Sequence, residues 1–453
     1  MNQNLKNWLK NINLLYKKIH KFPIAIKFGY VISFIGLLLE VSGINLSIGE
    51  ICIIEVVYNK KKFFVEGEVT GFKNRNIFVM LFEYSKGISP GLRVFPKIDK
   101  NGNNISKILP VGKNLLGRVI DSYGNSIDNL KSLNCKNFVS THYKKINPLK
   151  KKPINKILDT GIRSINSSLT IGRGQRIGLF ASSGVGKSVL LSMISKNSKS
   201  DIFVIGLIGE RSREILEFVE NIKSANNFSK SVVIVSPANS SPLLKVQGTL
   251  YAISIAEYFR KKGNHVLFIL DSLTRYAMAE REISISMGEI PVMRGYPTSI
   301  FSKLPFFIER SGNSESKNCS ITGLYTILIE SNKNLDPISD LAKSILDGHI
   351  MLSKSYADSG HYPAINIETS VSRVMSNLVE KEHYEKAIYL KKLISIYRRN
   401  KDLISLGAYV KGHDKILDKA VSLWPKIEAF LQQDKDVVCN FYESVKSLNE
   451  LIK

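Results

Sequence analysis

From Ile157 onward, apolar runs of strand length alternate with stretches of helical pattern: Ile177–Phe180, Ile202–Ile208, Val232–Val235, Val266–Leu270 and Thr322–Ile329. Strands this uniformly apolar are buried on both faces, and alternation with helices implies a parallel sheet wrapped by them. An open α/β sheet binds its ligands at the carboxyl ends of its strands. The polar residues just after each run are therefore the first candidates for chemistry.

After the strand Arg176–Phe180 come Ala181-Ser182-Ser183-Gly184-Val185-Gly186-Lys187-Ser188, and the helical run Val189–Ser195 follows. Strand, glycine-bearing loop and helix, in that order, make a phosphate cradle. Successive backbone N–H groups and the helix N-terminus face the anion, Lys187 reaches the β- and γ-phosphates, and Ser188 binds Mg²⁺. Ala181 stands where the usual pattern has its first glycine, while Gly186 keeps the close backbone approach.

Two further strand ends supply carboxylates. The run His265–Leu270 leads to Asp271, placed to join a Mg²⁺ shell; the plainer alternative is a cap on the next helix. The strand Ile202–Ile208 leads to Gly209, Glu210, Arg211, Ser212, Arg213 and Glu214. Hydrolysis needs an acceptor to polarise the attacking water, and Glu210 is so placed; a salt-bridged surface run is the competing reading.

Before this core, residues 1–22 read as one amphipathic helix, with Leu5, Trp8, Leu9, Ile12, Leu15, Tyr16 and Ile19 on one face and Pro23 ending it. That face packs on its own domain or docks a partner protein, and its basic polar side leaves a membrane-surface role open. Residues 23–98 carry short β-branched and aromatic runs (Tyr30–Ile35, Ile51–Val57, Phe63–Val69, Ile77–Leu81), the pattern of a small β-barrel or sandwich. Residues 99–156, with Tyr123-Gly124-Asn125 and the lysine-rich Lys144–Lys152, read as a linker region; 157–375 is the phosphate-binding domain; 376–453 reads as helical.

The net charge of +25 invites a nucleic-acid reading. Its lysines are spread evenly among Asn, Ile and Ser with no interleaved aromatic groove, so compositional bias is the preferred account and nucleic acid is not an expected partner. The four cysteines lack the spacing of a zinc site or disulfide framework. The apolar stretch Ile24–Leu39 is broken by Lys27, Gly29 and Gly36, and the opening segment lacks a cleavable apolar signal. A cytoplasmic location is expected.

Taken together these residues resemble the α/β-type rotary and export ATPases. The family signature stands as Pro363-Ala-Ile-Asn-Ile-Glu-Thr-Ser370-Val-Ser372, followed by Arg373. Within the family the chain is most similar to the flagellar type III export branch. The resemblance rests on Ala181 in the loop, Asp159-Thr-Gly-Ile-Arg163, Asp271-Ser-Leu-Thr-Arg-Tyr276, Gly407-Ala-Tyr409 with Lys411-Gly412, and Leu423-Trp-Pro425 leading to Phe430-Leu-Gln-Gln433. Ser182 departs from that branch, which usually has glycine there.

The resemblance implies a RecA-like P-loop core with an N-terminal β-barrel and a C-terminal helical domain, ATP and Mg²⁺ as ligands, and a homo-hexameric ring. It gives Glu210 the attacking water, Arg211 a neighbouring structural role, and Glu214 an outer metal-shell position reached through water, like that of Asp271. Arg275 would sense the γ-phosphate, Tyr362 would stack on the adenine, and Arg373 would reach across into the next subunit's site. The implied partners are a stator-like regulator at the N-terminal helix, a central-stalk-like protein, an export gate, and export substrates or their chaperones, at the cytoplasmic face of the inner membrane. Three classes stay open: an export motor (flagellar, or its injectisome relative), a nucleic-acid translocase with the same core, and a silent structural subunit of a rotary synthase.

Overall fold

Alternating apolar residues close the first β region into a barrel. The computed structural model describes residues 3–19, 27–99, 102–141, 147–315, 319–329 and 336–453. Around the barrel the strands run Gly29–Ile35, Leu38–Ser42, Asn76–Leu81, Lys61–Lys73, Ile51–Tyr58 and Arg93–Pro96, the last pairing back onto the first. Val31, Val41, Ile54, Val56, Val69, Val79 and Val94 fill the interior, while Tyr30, Ile32 and Phe34 alternate to the outside. That is the period of two expected of a half-buried strand. The barrel unit includes residues 241–244 and 282–290; there the Ser241 hydroxyl donates to the Phe82 carbonyl at 2.5 Å.

The second unit is built on one sheet. From edge to edge its strands are Ile365–Ser372, Gly348–Leu352, Arg176–Ala181, Ser320–Leu328, His265–Asp271, Ile202–Ile208, Ser231–Ser236 and Arg118–Asp121. All neighbours on this path are parallel except Ile365–Ser372, which runs antiparallel to Gly348–Leu352. The three central strands before Arg118 are buried at every residue, as apolar strands covered on both faces must be. The segment read as a linker therefore does more than connect: Arg118–Asp121 pairs with Val232–Val235 as the far edge strand. Four residues held by a bidentate Arg118–Asp128 pair are too short for periodicity to reveal.

Beyond Met375 the chain is helical. Lys381–Arg399, Lys415–Leu431 and Phe441–Leu451 bury Leu390, Leu393, Ile427, Phe430 and Leu448 in the same core that holds Ile165, Leu169 and Leu191. Asp414 caps the second of these helices and an Asn440–Glu443 capping box opens the third, satisfying N–H groups the helix cannot. Tyr397 and Trp424 stack at 3.8 Å between ring centres.

The helix Gln3–Ile19 forms as its pattern indicates, and Leu5, Trp8, Leu9, Ile12, Leu15 and Tyr16 are all exposed. Residues 1, 2 and 20–26, with Pro23 and the start of the apolar stretch, lie outside the described residues, as does 142–146 of the lysine-rich connector. Among the described residues no helix is long and apolar enough to cross a membrane.

Candidate active site

The strand Arg176–Ala181 ends at the loop, and the helix Lys187–Asn197 begins directly after it. Gly186, at the helix N-cap, has φ +84°, and its absent β-carbon would lie 3.2 Å from the Tyr362 ring. Glycine is needed there for both conformation and space. Ala181 is different: it is fully buried, belongs to the strand, and accepts a hydrogen bond from Ile329 N at 2.9 Å. Neither Ala181 nor Ser182 has a positive φ, so neither departure from glycine strains the loop. Val185 is buried and pins the loop, while Ser183, Gly184 and Ser188 are exposed.

Lys187 bridges the two strand-end carboxylates. Its Nζ donates to Asp271 Oδ1 at 2.5 Å and to Glu210 Oε1 at 3.3 Å. Burial alone would lower the Lys187 pKa, but the two carboxylates outweigh it and hold it above the ordinary value. Burial pushes Glu210 and Asp271 the other way, upward, against the pull of Lys187. Thr326 donates its hydroxyl to Asp271 Oδ1 at 2.7 Å. Sequence reasoning missed Thr326; a threonine near the carboxyl end of a buried strand was its only signal.

Glu214 adds to the upward push on the Glu210 pKa and lies 3.8 Å from Arg211, whose side chain is 85% exposed. Arg275 packs beneath Gly209, and its buried Nε has no hydrogen-bond partner among the described residues. Tyr362 is half exposed over the loop; its carbonyl accepts from Gln433 N at 3.0 Å and its hydroxyl donates to the Ala357 carbonyl at 3.3 Å. Lys187, Glu210, Asp271, Arg275 and Tyr362 thus gather around the loop.

Arg373 does not. It follows the edge strand Ile365–Ser372, and its N donates to the Asp347 carbonyl at 3.0 Å, while Asp347 N bonds to the Arg176 carbonyl. That register places Arg373 level with the start of the strand whose other end carries the loop. Five residues at about 3.3 Å each put it roughly 17 Å along the sheet from the phosphate cradle. It is exposed, and its Nη2 donates to the Lys343 carbonyl at 2.9 Å.

Three family models match consecutive parts of the chain. Residues 31–96 match the β-barrel domain of the ATP synthase alpha/beta family, 161–372 its nucleotide-binding domain, and 379–450 the C-terminal domain of the type III secretion ATPase EscN. The flagellum-specific ATP synthase of Buchnera aphidicola from Acyrthosiphon pisum is 51% identical over 451 residues, covering 100% of this chain and 97% of the relative. The chain belongs to the ATP synthase alpha/beta family. Another member, the flagellum-specific ATP synthase of Salmonella typhimurium, is 47% identical over 99% of both chains. Among solved structures, assembled EscN from enteropathogenic E. coli superposes with a TM-score of 0.87 at 36% identity, covering 94% of this chain and all of that one. EscN with its central stalk EscO gives 0.84 at 35% identity, with the same coverage. The family's barrel, nucleotide-binding core and helical C-terminus coincide with the architecture described above.

Proposed function

We propose that this ATPase works as a homo-hexameric ring that energises the export of flagellar proteins, with Arg373 of each subunit completing the site of its neighbour. The observation that carries this reading is the division of the charged groups. Lys187, Glu210 and Asp271 are in contact at the carboxyl ends of the strands, whereas Arg373 lies at the opposite end of the same sheet. A guanidinium that cannot reach its own cradle serves hydrolysis only in another subunit.

In the proposed cycle the γ-phosphate displaces the carboxylates from Lys187. Glu210, freed of its ion pair, then accepts from the attacking water, and the burial that raises its pKa makes it a better acceptor than a solvent-exposed carboxylate. Tyr362 stacks on the adenine, Arg275 reports the γ-phosphate, Glu214 joins the outer metal shell through water, and Arg211 is the structural neighbour of Glu210. The exposed Ser188 hydroxyl and the Asp271 carboxylate form the sparse oxygen set that Mg²⁺ accepts when phosphates and water supply the rest. There Mg²⁺ would neutralise charge on the transferring phosphoryl group.

The higher identity to flagellum-specific relatives than to EscN supports the flagellar branch. The exposed apolar face of Gln3–Ile19 suits a stator-like regulator, and a ring lumen suits a central-stalk-like protein. Export gate, substrates or chaperones, and a place at the cytoplasmic face of the inner membrane follow from the same reading. The test is Glu210→Gln: ATP binding should persist while turnover is lost. Intact turnover would remove Glu210 from its role, and several-fold stimulation by single-stranded RNA would favour a translocase instead.

A further inference from the structure

Arg373 emerges from a cluster of buried polar groups that the proposed chemistry does not use. Gln175 is fully buried, one residue before the strand that carries the phosphate loop. Its Nε2 donates to the Asp347 carbonyl and to Ser372 Oγ, each at 3.1 Å, and its Oε1 accepts from Gly172 N at 2.8 Å. The Ser372 hydroxyl in turn donates to the Thr170 carbonyl at 2.8 Å. The Asp347 carbonyl that Gln175 holds is the one that accepts from Arg373 N.

Asp347 is fixed from its other side as well. Its carboxylate accepts from Arg176 N at 3.0 Å, Arg176 Nε at 2.9 Å and Arg176 Nη2 at 3.0 Å. Such fork-on-carboxylate pairing is the geometrically strict kind. The two serines of the family signature also divide their work here. Ser370 Oγ accepts from Met351 N at 2.9 Å where the edge ladder loses register, and Ser372 docks that edge on Gln175.

We infer that Gln175, Ser372 and Asp347 are positioning residues for Arg373: they seat the backbone from which the guanidinium is presented to the neighbouring subunit. Burial makes this arrangement directional. A buried amide whose donor and acceptor are all satisfied holds one geometry, because every alternative leaves a polar group unpaired. The seat also stands at the head of the strand Arg176–Ala181, so each subunit's own cradle and the arginine it lends share one rigid element. This inference rests on the shared-site reading above.

Mixed rings test it. A Lys187→Ala chain cannot hydrolyse in its own site but still lends an intact Arg373. Gln175→Leu alone should lower kcat about ten- to a hundredfold, the loss that follows a misplacement of roughly 1 Å, while KM for ATP stays within about twofold. Excess Lys187→Ala chain should then restore most of the rate per active site, as it should for Arg373→Ala. Ser372→Ala removes only a hydroxyl and should show the same rescue after a smaller loss, which covers the case in which Gln175→Leu does not fold. If Arg373→Ala is rescued but Gln175→Leu and Ser372→Ala are not, the seat has no role in presenting Arg373 and the inference is overturned while the shared site stands. If Arg373→Ala is not rescued, the shared site itself falls, and this inference with it.

Discussion

A β-carbon placed on Gly209 would lie 2.8 Å from the β-carbon of Arg275 and 2.9 Å from its γ-carbon, so Gly209 and Arg275 interlock with no room for a methyl group. Gly209 also has φ +72°, in the region L-residues avoid. Gly209→Ala should therefore cost on the order of 1–3 kcal/mol and shift Glu210, the next residue, away from the loop. Urea midpoint and ATPase rate should fall together, whereas an unchanged rate would separate Glu210 from the position of this turn.

Lys187→Met should abolish ATPase activity and also destabilise the fold, since removing one partner of a buried ion pair costs about 3–5 kcal/mol. The loss should depend on pH. Burial raises the pKa of Glu210 and Asp271 above their ordinary 4.5 and 3.8, and the variant lacks the ammonium that opposed the rise. The folded state then prefers both carboxyls protonated, so stability is fully present below the ordinary values and drains away as pH climbs through the raised ones. Melting temperatures from pH 4 to about pH 8 should show the gap to wild type widening, and adding Asp271→Asn should narrow it.

Arg373→Ala should lower kcat by ~10³–10⁵ with little change in KM, the signature of a contact made only in the transition state. Specific activity of the unaltered chain should rise cooperatively with protein concentration. A flat profile would undercut the shared site.

Arg310 is a control for structure without catalysis. It is 1% exposed, forks onto Glu257 through Nε and Nη2 at 2.9 Å each, and donates to Ser254 at 2.8 Å. Arg310→Met should cost about 3–5 kcal/mol by leaving Glu257 buried and ionised, and Arg310→Met with Glu257→Leu should recover much of it. Urea unfolding measures both, and KM for ATP should not move in the variants that fold.

The phosphate loop, Asp271 and Glu210 were legible because each sits beside an apolar run long enough to read, and local spacing alone put them at strand ends. The barrel strands and the C-terminal helices were legible for the same reason. Arg118–Asp121 was not: four residues carry no period, and its place depends on pairing with Val232–Val235, more than a hundred residues away. The strand Gly348–Leu352 and the edge strand Ile365–Ser372 beside it were hidden too, the second because Ser370 supplies from its side chain a bond that the irregular ladder lacks. Motif reasoning singled out Arg373 but not Gln175, since nothing in a lone glutamine before a strand tells of the two carbonyl-and-hydroxyl partners it meets only after folding.

The placement of Arg373 and the loop at opposite ends of one sheet has a consequence for the cell. Under the proposed shared site, a newly made chain carries both halves of the chemistry but cannot bring them together, so it idles without consuming fuel. On that reading, closure of the ring is itself the ignition.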